Sequence, residues 1–366
     1  MRIVLDAAGG DYAPEQPVRG AVLAARTLGC SIILTGPAAQ VQAELAKYPT
    51  AGLDLTVVDA PEIIGMADHP ASAIRSKQRS AHVVGLRMVR DGAADAFVSA
   101  GHSGATMAGA TLILGRIKGI ERPALASIFP ALDRPFLLLD IGATTDCKPE
   151  YLLQFAQMGS VYAEGALGMT TPRVALLSNG EEPTKGDRLV QEAHELLRSS
   201  ALNFVGNAEP KDALVGGTCD VLVCDGFVGN LFIKQAEAVV KLAQELLVGE
   251  VRHHLPRGLL PGLLPAALLA ALGRRGVRLG GLLGMFGAAP ALIGSLLVPP
   301  LLRVRRKADY RSYGGAPLLG PRGVAIIAHG KSDAAAVMNA IRQAKEAVER
   351  GTVTGIADMI APVSKT

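Results

Sequence analysis

Four side chains able to hold or move charge stand in small-residue loops that follow short apolar runs. They are Lys185 after Gly180-Glu181-Glu182, Asp225 and Asn230 in Asp225-Gly-Phe-Val-Gly-Asn230, and His329 ahead of Gly330-Lys331. A lysine opening a helix works against the helix dipole, which favours acids there. Lys185 therefore reads either as a surface partner of Glu181 or Glu182, or as a cation for phosphate or a developing oxyanion. Asp225 and Asn230 read either as a tight turn with Asn230 capping the next helix, or as groups facing a ligand. His329 is either a proton carrier or a hydrogen-bonded strand-end histidine.

A second kind of signal is a backbone one. Ala96-Phe97-Val98 reads as a buried strand that breaks into Gly101-His102-Ser103-Gly104, with a helical pattern from Thr106 to Leu114. Glycines let the backbone come close to a ligand, and a helix start offers unpaired N–H groups to an anion. The first strand, Arg2–Ala7, ends similarly in Asp6, Gly9, Gly10 and Asp11. Arg75 and Lys77 lie in a loop-to-helix stretch; they read as a solvated face, or as phosphate ligands if that stretch folds over the strand ends. Three familiar motifs fail. Gly101-His-Ser-Gly104 is too short for a nucleophile elbow, Ala325 stands where a P-loop at Gly330-Lys331 needs glycine, and no G-x-G-x-x-G follows the first strand.

These loops need a frame. Strand-like runs (Arg2–Ala7, Ser31–Thr35, Leu55–Val58, Ala96–Ser99, Ala124–Ile128, Phe136–Ile141, Arg173–Leu177, Asn203–Val205, Val221–Cys224, Val324–Ala328) alternate with helical patterns (Pro14–Leu28, Ala38–Lys47, Ser80–Arg90, Pro149–Glu164, Lys185–Arg198, Asn230–Glu250, Asp333–Glu349). That alternation predicts a mostly parallel sheet covered on both faces, with no internal repeat visible. Seven strand ends carry polar or glycine-rich loops, and the expectation is that they share one carboxyl edge, where ligands bind.

The 366 residues are 49% hydrophobic with no Trp, enough for a large aliphatic core. Cys30, Cys147, Cys219 and Cys224 lack metal-ligand spacing and read as core thiols of a reduced, cytoplasmic protein. No signal peptide is read at Met1. Nine Arg and Lys and no Asp or Glu lie between Val251 and Ala308; setting those nine aside leaves 28 basic against 33 acidic residues. The body is mildly acidic, which argues against diffuse nucleic-acid binding. The expected organisation is one α/β domain over 1–350, interrupted by an apolar, basic insert at 255–308, with a tail at 351–366. The insert reads as a helical hairpin at a lipid interface, as a dimer interface, or as a membrane span.

Taken together the blocks are identified as those of the phosphate acyltransferase (PlsX) family. They are Leu5-Asp-Ala-Ala-Gly-Gly-Asp11, His69-Pro-Ala-Ser-Ala-Ile-Arg-Ser-Lys77, Val98-Ser-Ala-Gly101, Cys147-Lys-Pro-Glu150, Gly180-Glu-Glu182 with Lys185-Gly186, Asp225 to Asn230, Tyr313 to Gly320 and Ala328-His-Gly330. The resemblance runs from Arg2 to about Arg350. It implies an isocitrate/isopropylmalate-dehydrogenase-like three-layer α/β/α fold and a homodimer without metal or cofactor. It further implies association with the inner face of the cell membrane, and transfer of an acyl chain from acyl carrier protein to inorganic phosphate. The acyl phosphate would feed a membrane glycerol-3-phosphate acyltransferase in phosphatidic acid synthesis. Departures are Ala8 for the usual Met, His102-Ser103 for Asn-Thr, and Ser178-Asn179 for an Asn-apolar pair.

Phosphate needs no protein nucleophile, only orientation and oxyanion stabilisation. The expected phosphate and acyl site is Asp6, Gly9, Gly10, Gly101, His102, Ser103, Gly104, Arg75 and Lys77. Lys185 and Asn230 would polarise the carbonyl or hold phosphate, and Asp225 or His329 would manage the proton. If His102 faces phosphate, affinity should weaken as pH rises through about 6.5.

Overall fold

The apolar alternation along β1 (Arg2–Asp6) already separates two faces: Ile3 and Leu5 enter one core cluster, Val4 another. The same split recurs in β2 (Ser31–Gly36), where Ile32 and Leu34 oppose Ile33, and in β4 (Ala96–Ser99), where Ala96 and Val98 oppose Phe97. Successive strand side chains point to opposite faces, so a sheet with apolar residues on both must be covered on both. In the computed structural model, which describes residues 1–254 and 314–361, that is the case.

The remaining strands are β3 (Leu55–Asp59), β5 (Ala124–Phe129), β6 (Phe136–Leu139), β7 (Val174–Leu177), β8 (Phe204–Ala208), β9 (Val221–Val223), β10 (Ala316–Leu319) and β11 (Val324–Ile327). The helices are α1 (Glu15–Leu28), α2 (Ala38–Leu45), α3 (Pro70–Ser76), α4 (Ala81–Arg90), α5 (Ser103–Gly109, continued by a π turn over Ala110–Leu114), α6 (Pro149–Gly165), α7 (Arg188–Arg198), α8 (Pro210–Leu214), α9 (Gly226–His254), α10 (Ala334–Glu349) and α11 (Thr352–Ile360). Helices α1, α6, α7, α10 and α11 supply the larger cluster, with Tyr162, Phe155 and Ile341 at its centre. Helices α4 and α5 cover the other face through Leu86, Ala110 and Leu114. Helix α3 packs on α5 through Ile74 and Ala105.

All eleven strands form one sheet in the order β3-β2-β1-β4-β11-β10-β5-β6-β9-β7-β8. Strand β1 pairs in parallel with β2 and β4, and β4 with β11, whereas β10 is antiparallel to both its neighbours and β5 is antiparallel to β6. Strands β6, β9, β7 and β8 then run parallel to one another. Two expectations change here. Strand β10 was not foreseen, and the three successive antiparallel steps, β11 to β10, β10 to β5 and β5 to β6, reverse the second half of the sheet. The seven polar loops therefore do not share one edge: those after β1, β3, β4 and β11 lie at one, those after β6, β7 and β9 at the other.

The order also contains a repeat that the residues do not advertise. Rotation by half a turn between β10 and β5 carries β1, β2, β4, β5 and β6 onto β7, β8, β9, β10 and β11, in chain order and with matching directions. The junction β4–α5 thereby corresponds to β9–α9.

By internal contacts the chain divides into Met1–Leu231 with Tyr310–Thr366, and Phe232–Asp309. Within the second unit, Val239, Leu242 and Leu246 of α9 are exposed. Among the described residues no helix is long and apolar enough to cross a membrane. The expected insert, 255–308, lies outside the described residues, while part of the expected tail is α11, with Ile356 buried.

Helix α1 meets α10 at Gly20, where an added Cβ would lie 2.6 Å from Val337 Cβ and 3.0 Å from the Ala334 carbonyl oxygen. Helix propensity alone favours Gly20→Ala by about 1 kcal/mol, but a backbone atom cannot yield as a flexible side chain can. Overpacking of this kind costs about 1–3 kcal/mol. Gly20→Ala is expected to lower the urea midpoint; a raised midpoint would contradict the tight contact.

Candidate active site

Parallel pairing of β1, β4 and β11 delivers three loops to adjacent positions. The Asp11 N–H donates to the Gly330 carbonyl at 2.7 Å. Gly10 has φ +102°, and a Cβ there would lie 3.2 Å from the Gly330 oxygen and 3.3 Å from Ala100. A Cβ on Gly9 would lie 2.8 Å from the Gly101 nitrogen and collide with Asp6 Oδ2. The loops meet backbone to backbone, and only glycine permits it. Helix α5 opens onto this corner with His102 at its N-cap, no side-chain cap bond, and Ser103 exposed. Its first-turn N–H groups are thus left without the usual intrahelical acceptors.

Asp6 does not face that opening. It is buried beneath it, Oδ1 accepting the Ala8 N–H at 3.0 Å and Oδ2 the Ser99 hydroxyl at 2.8 Å. The Gly101 N–H donates to Ser99 Oγ at 3.0 Å, and His82 Nε2 lies 3.3 Å from the same oxygen. Burial is the main cause holding the His82 ring below its ordinary pKa, opposed by Asp6. Ser99 and His82 were missed in the sequence. Ser99 is 93 residues from Asp6 and 17 from His82, and His82 sits on the apolar face of an ordinary-looking helix.

The stretch preceding α4 does fold over the α5 start. The Asp68 carbonyl oxygen lies 3.2 Å from His102 Nε2, and a Cβ on Gly104 would lie 2.9 Å from Pro70. Lys77 is a strut inside that stretch: its ammonium donates to Asp68 Oδ2 at 2.6 Å and to the Ile63 carbonyl at 2.8 Å. Arg75 is exposed in the last turn of α3. His102 has its Nε2 beside the Asp68 carbonyl, and its buried Nδ1 has no hydrogen-bond partner among the described residues. Its ring braces the covering stretch.

A second group assembles after β6 and β9. Asp140 is fully buried; Oδ1 accepts N–H groups from Leu125, Gly142 and Ala143, and Oδ2 one from Thr144 at 2.6 Å. Burial nevertheless pushes its pKa up to about 6. Asp225, not Asn230, caps α9, its Oδ1 accepting from Phe227 at 2.9 Å and Val228 at 3.0 Å. Asn230 lies one turn into the helix and donates to the Ile141 carbonyl at 3.3 Å. Lys185 does not open α7. It stands three residues earlier in an exposed loop closed by Gly186 N–H to Asn179 Oδ1, the cap being Asp187. Lys185 makes no ion pair with a described residue. His329 Nδ1 accepts the Lys331 N–H at 3.1 Å, at the same edge as the Gly101 loop and away from β9.

The family described as fatty acid synthesis protein matches residues 1–274 and 286–354. A phosphate acyltransferase of Herpetosiphon aurantiacus is 56% identical, covering 99% of this chain and 98% of its own. One from Desulforamulus reducens is 44% identical over 98% and 97%. Among solved structures, a branched-chain phosphotransacylase of Enterococcus faecalis superposes with a TM-score of 0.52 at 12% identity, covering 95% of this chain and 99% of that one. A 4-hydroxythreonine-4-phosphate dehydrogenase of Klebsiella pneumoniae gives 0.51 at 13% identity, over 95% and 97%. Both share the fold, so the expected dehydrogenase-like α/β architecture holds.

Asp140 generates a pH prediction. Its pKa is raised from 3.8 to about 6 on folding, so between those values the native state binds the extra proton. The resulting stability is complete below about pH 3.8 and lost as pH rises through about 6, on the order of 3 kcal/mol. Asp140→Asn should remove that slope, while setting an amide nitrogen against the Thr144 N–H at a cost of about 1–3 kcal/mol. Urea unfolding of both proteins at pH 5 and 7.5 checks this; parallel pH slopes would contradict it.

Proposed function

Because the chain belongs to the fatty acid synthesis protein family and is a phosphate acyltransferase, we propose that it moves a fatty acyl group from acyl carrier protein to inorganic phosphate. A phosphate oxygen attacks the thioester carbonyl, the carbon–oxygen bond forms as the carbon–sulfur bond breaks, and the carrier thiol leaves with a proton. Acyl phosphate is released for phospholipid synthesis.

One observation carries the assignment of phosphate to the Gly9, Gly10 and Gly101–Gly104 corner. The two equivalent junctions of the repeated topology differ at the cap. In the second, Asp225 places a carboxylate on the α9 start; in the first, α5 has no such anion of its own. Where one half carries a built-in acid, the other leaves donors for a ligand, with Ser103 at the mouth.

Lys185 is the cation we assign to the oxyanion. The halves of the sheet are antiparallel, yet a twist of about 20–25° per strand accumulates to roughly 100–125° over the five steps from β4 to β9. The second set of strand ends then no longer points directly away from the first. Asp225 and Asn230 hold the α9 start, and His329, at the phosphate edge, is assigned to exchange the proton. The exposed apolar side chains Phe227, Leu231, Leu242 and Leu246 along α9 support a homodimer. The basic, apolar residues of 255–308 support attachment to the inner face of the membrane, delivering product to a membrane acyltransferase.

Thiol release from acyl carrier protein is expected only when phosphate is present; equal release without it would make the protein a thioesterase. Ser103→Asp supplies α5 with its own acid and should raise the phosphate KM at least about tenfold, about 1.4 kcal/mol. An unchanged KM would remove phosphate from this corner. Lys185→Ala should lower kcat about tenfold, and wild-type turnover would end that assignment.

A further inference from the structure

Three buried side chains lie directly behind the Gly101 loop, contributed by three different elements. Asp6 closes β1, Ser99 closes β4 and His82 is in the first turn of α4; they are 2%, 0% and 3% exposed. None can touch a ligand at the loop's outer surface. Their contacts converge on one atom, Ser99 Oγ, which lies 2.8 Å from Asp6 Oδ2, 3.0 Å from the Gly101 nitrogen and 3.3 Å from His82 Nε2.

The protons can be assigned. Asp6 Oδ2 accepts from the Ser99 hydroxyl, and the Gly101 N–H only donates. Ser99 must therefore give its hydroxyl proton to Asp6 and receive the Gly101 N–H on a lone pair. A second lone pair then faces His82 Nε2, which must carry the ring proton. The remaining contact, His82 Nδ1 to Asp6 Oδ2 at 3.5 Å, is too long for a good hydrogen bond, as a lone pair facing a carboxylate should be. The tilted Phe97 ring, with centroids 5.9 Å apart, and the neighbouring His102 complete the surroundings of His82. A neutral Nε2–H imidazole satisfies every short contact.

Two consequences bear on the loop. Ser99 takes the Gly101 N–H inward, fixing the peptide that enters the α5 start, so the next N–H groups are presented outward. The carboxylate of Asp6 sits against the Cα positions of Gly9 and Gly101, where an added Cβ would meet it within 3.1 Å in each case. It lies immediately behind the corner assigned to phosphate, held there by the Ala8 N–H and the Ser99 hydroxyl.

The geometry points to Asp6, His82 and Ser99 as a buried positioning set for phosphate. Through Ser99 they hold the Gly101 peptide in the orientation that lets the α5 start bind the anion. This rests on the reading that phosphate occupies the Gly101–Gly104 corner.

One variant separates positioning from mere stability. Ser99→Ala leaves the Gly101 N–H without its inward acceptor. KM for inorganic phosphate and for acyl carrier protein would be measured in the thiol-release assay, with melting temperature alongside and Ser103→Asp as reference. Ser99→Ala should raise the phosphate KM at least tenfold with the carrier KM within twofold. A phosphate KM within twofold of wild type in Ser99→Ala would overturn the proposal, as would equal rises in both KM values. If Ser103→Asp shifts the phosphate KM and Ser99→Ala does not, the positioning role alone falls. If neither shifts it, the phosphate corner falls with it.

Discussion

The site depends on how closely three peptide chains can approach. Hydrogen-bonded strands lie about 4.8 Å apart, so the loops leaving β1, β4 and β11 start almost in contact. They pass one another only because Gly9, Gly10, Gly101 and Gly330 have no Cβ to interpose. A side chain at any of them would push apart the backbone that forms the corner. The helices, the covering stretch and the buried acids all serve a geometry already fixed by that contact.

Two buried carboxylates hold the strand-end loops from beneath. Asp6 accepts the N–H two residues ahead, from Ala8, and Asp140 does likewise from Gly142 before taking three more. A buried acid without donors would cost several kcal/mol; surrounded by backbone N–H and hydroxyl groups it locks a turn instead. The acids thus act on loop shape, and their chemistry toward a ligand is indirect. Lys77 is similar at the surface, where its ammonium joins Ile63 and Asp68 and keeps the stretch over α5 folded.

The repeated topology shows how one arrangement can serve two ends. At β9–α9 an aspartate seals the helix, and at β4–α5 a histidine occupies the cap position without bonding to the N–H groups beyond it. The difference rests on one side chain at each junction. It leaves one helix start sealed by its own acid and the other without a side-chain cap, and the donors of a helix start must be satisfied by something.

By themselves the residues determined a good deal here. Strands alternating with amphipathic helices required a covered, mostly parallel sheet, and the glycines at Gly9, Gly10 and Gly101 marked the loops that meet. Family membership was legible because motif blocks are local strings. Pairing order was not legible, because period-two alternation says which face a residue takes and nothing about which strand lies beside it. Only the tertiary structure reversed β6 to β9, divided the polar loops between two edges, and moved Asp6 and Lys77 from the ligand to its supports. His82 and Ser99 emerged for the same reason: contacts across 93 residues of chain are made by folding, and no spacing rule records them.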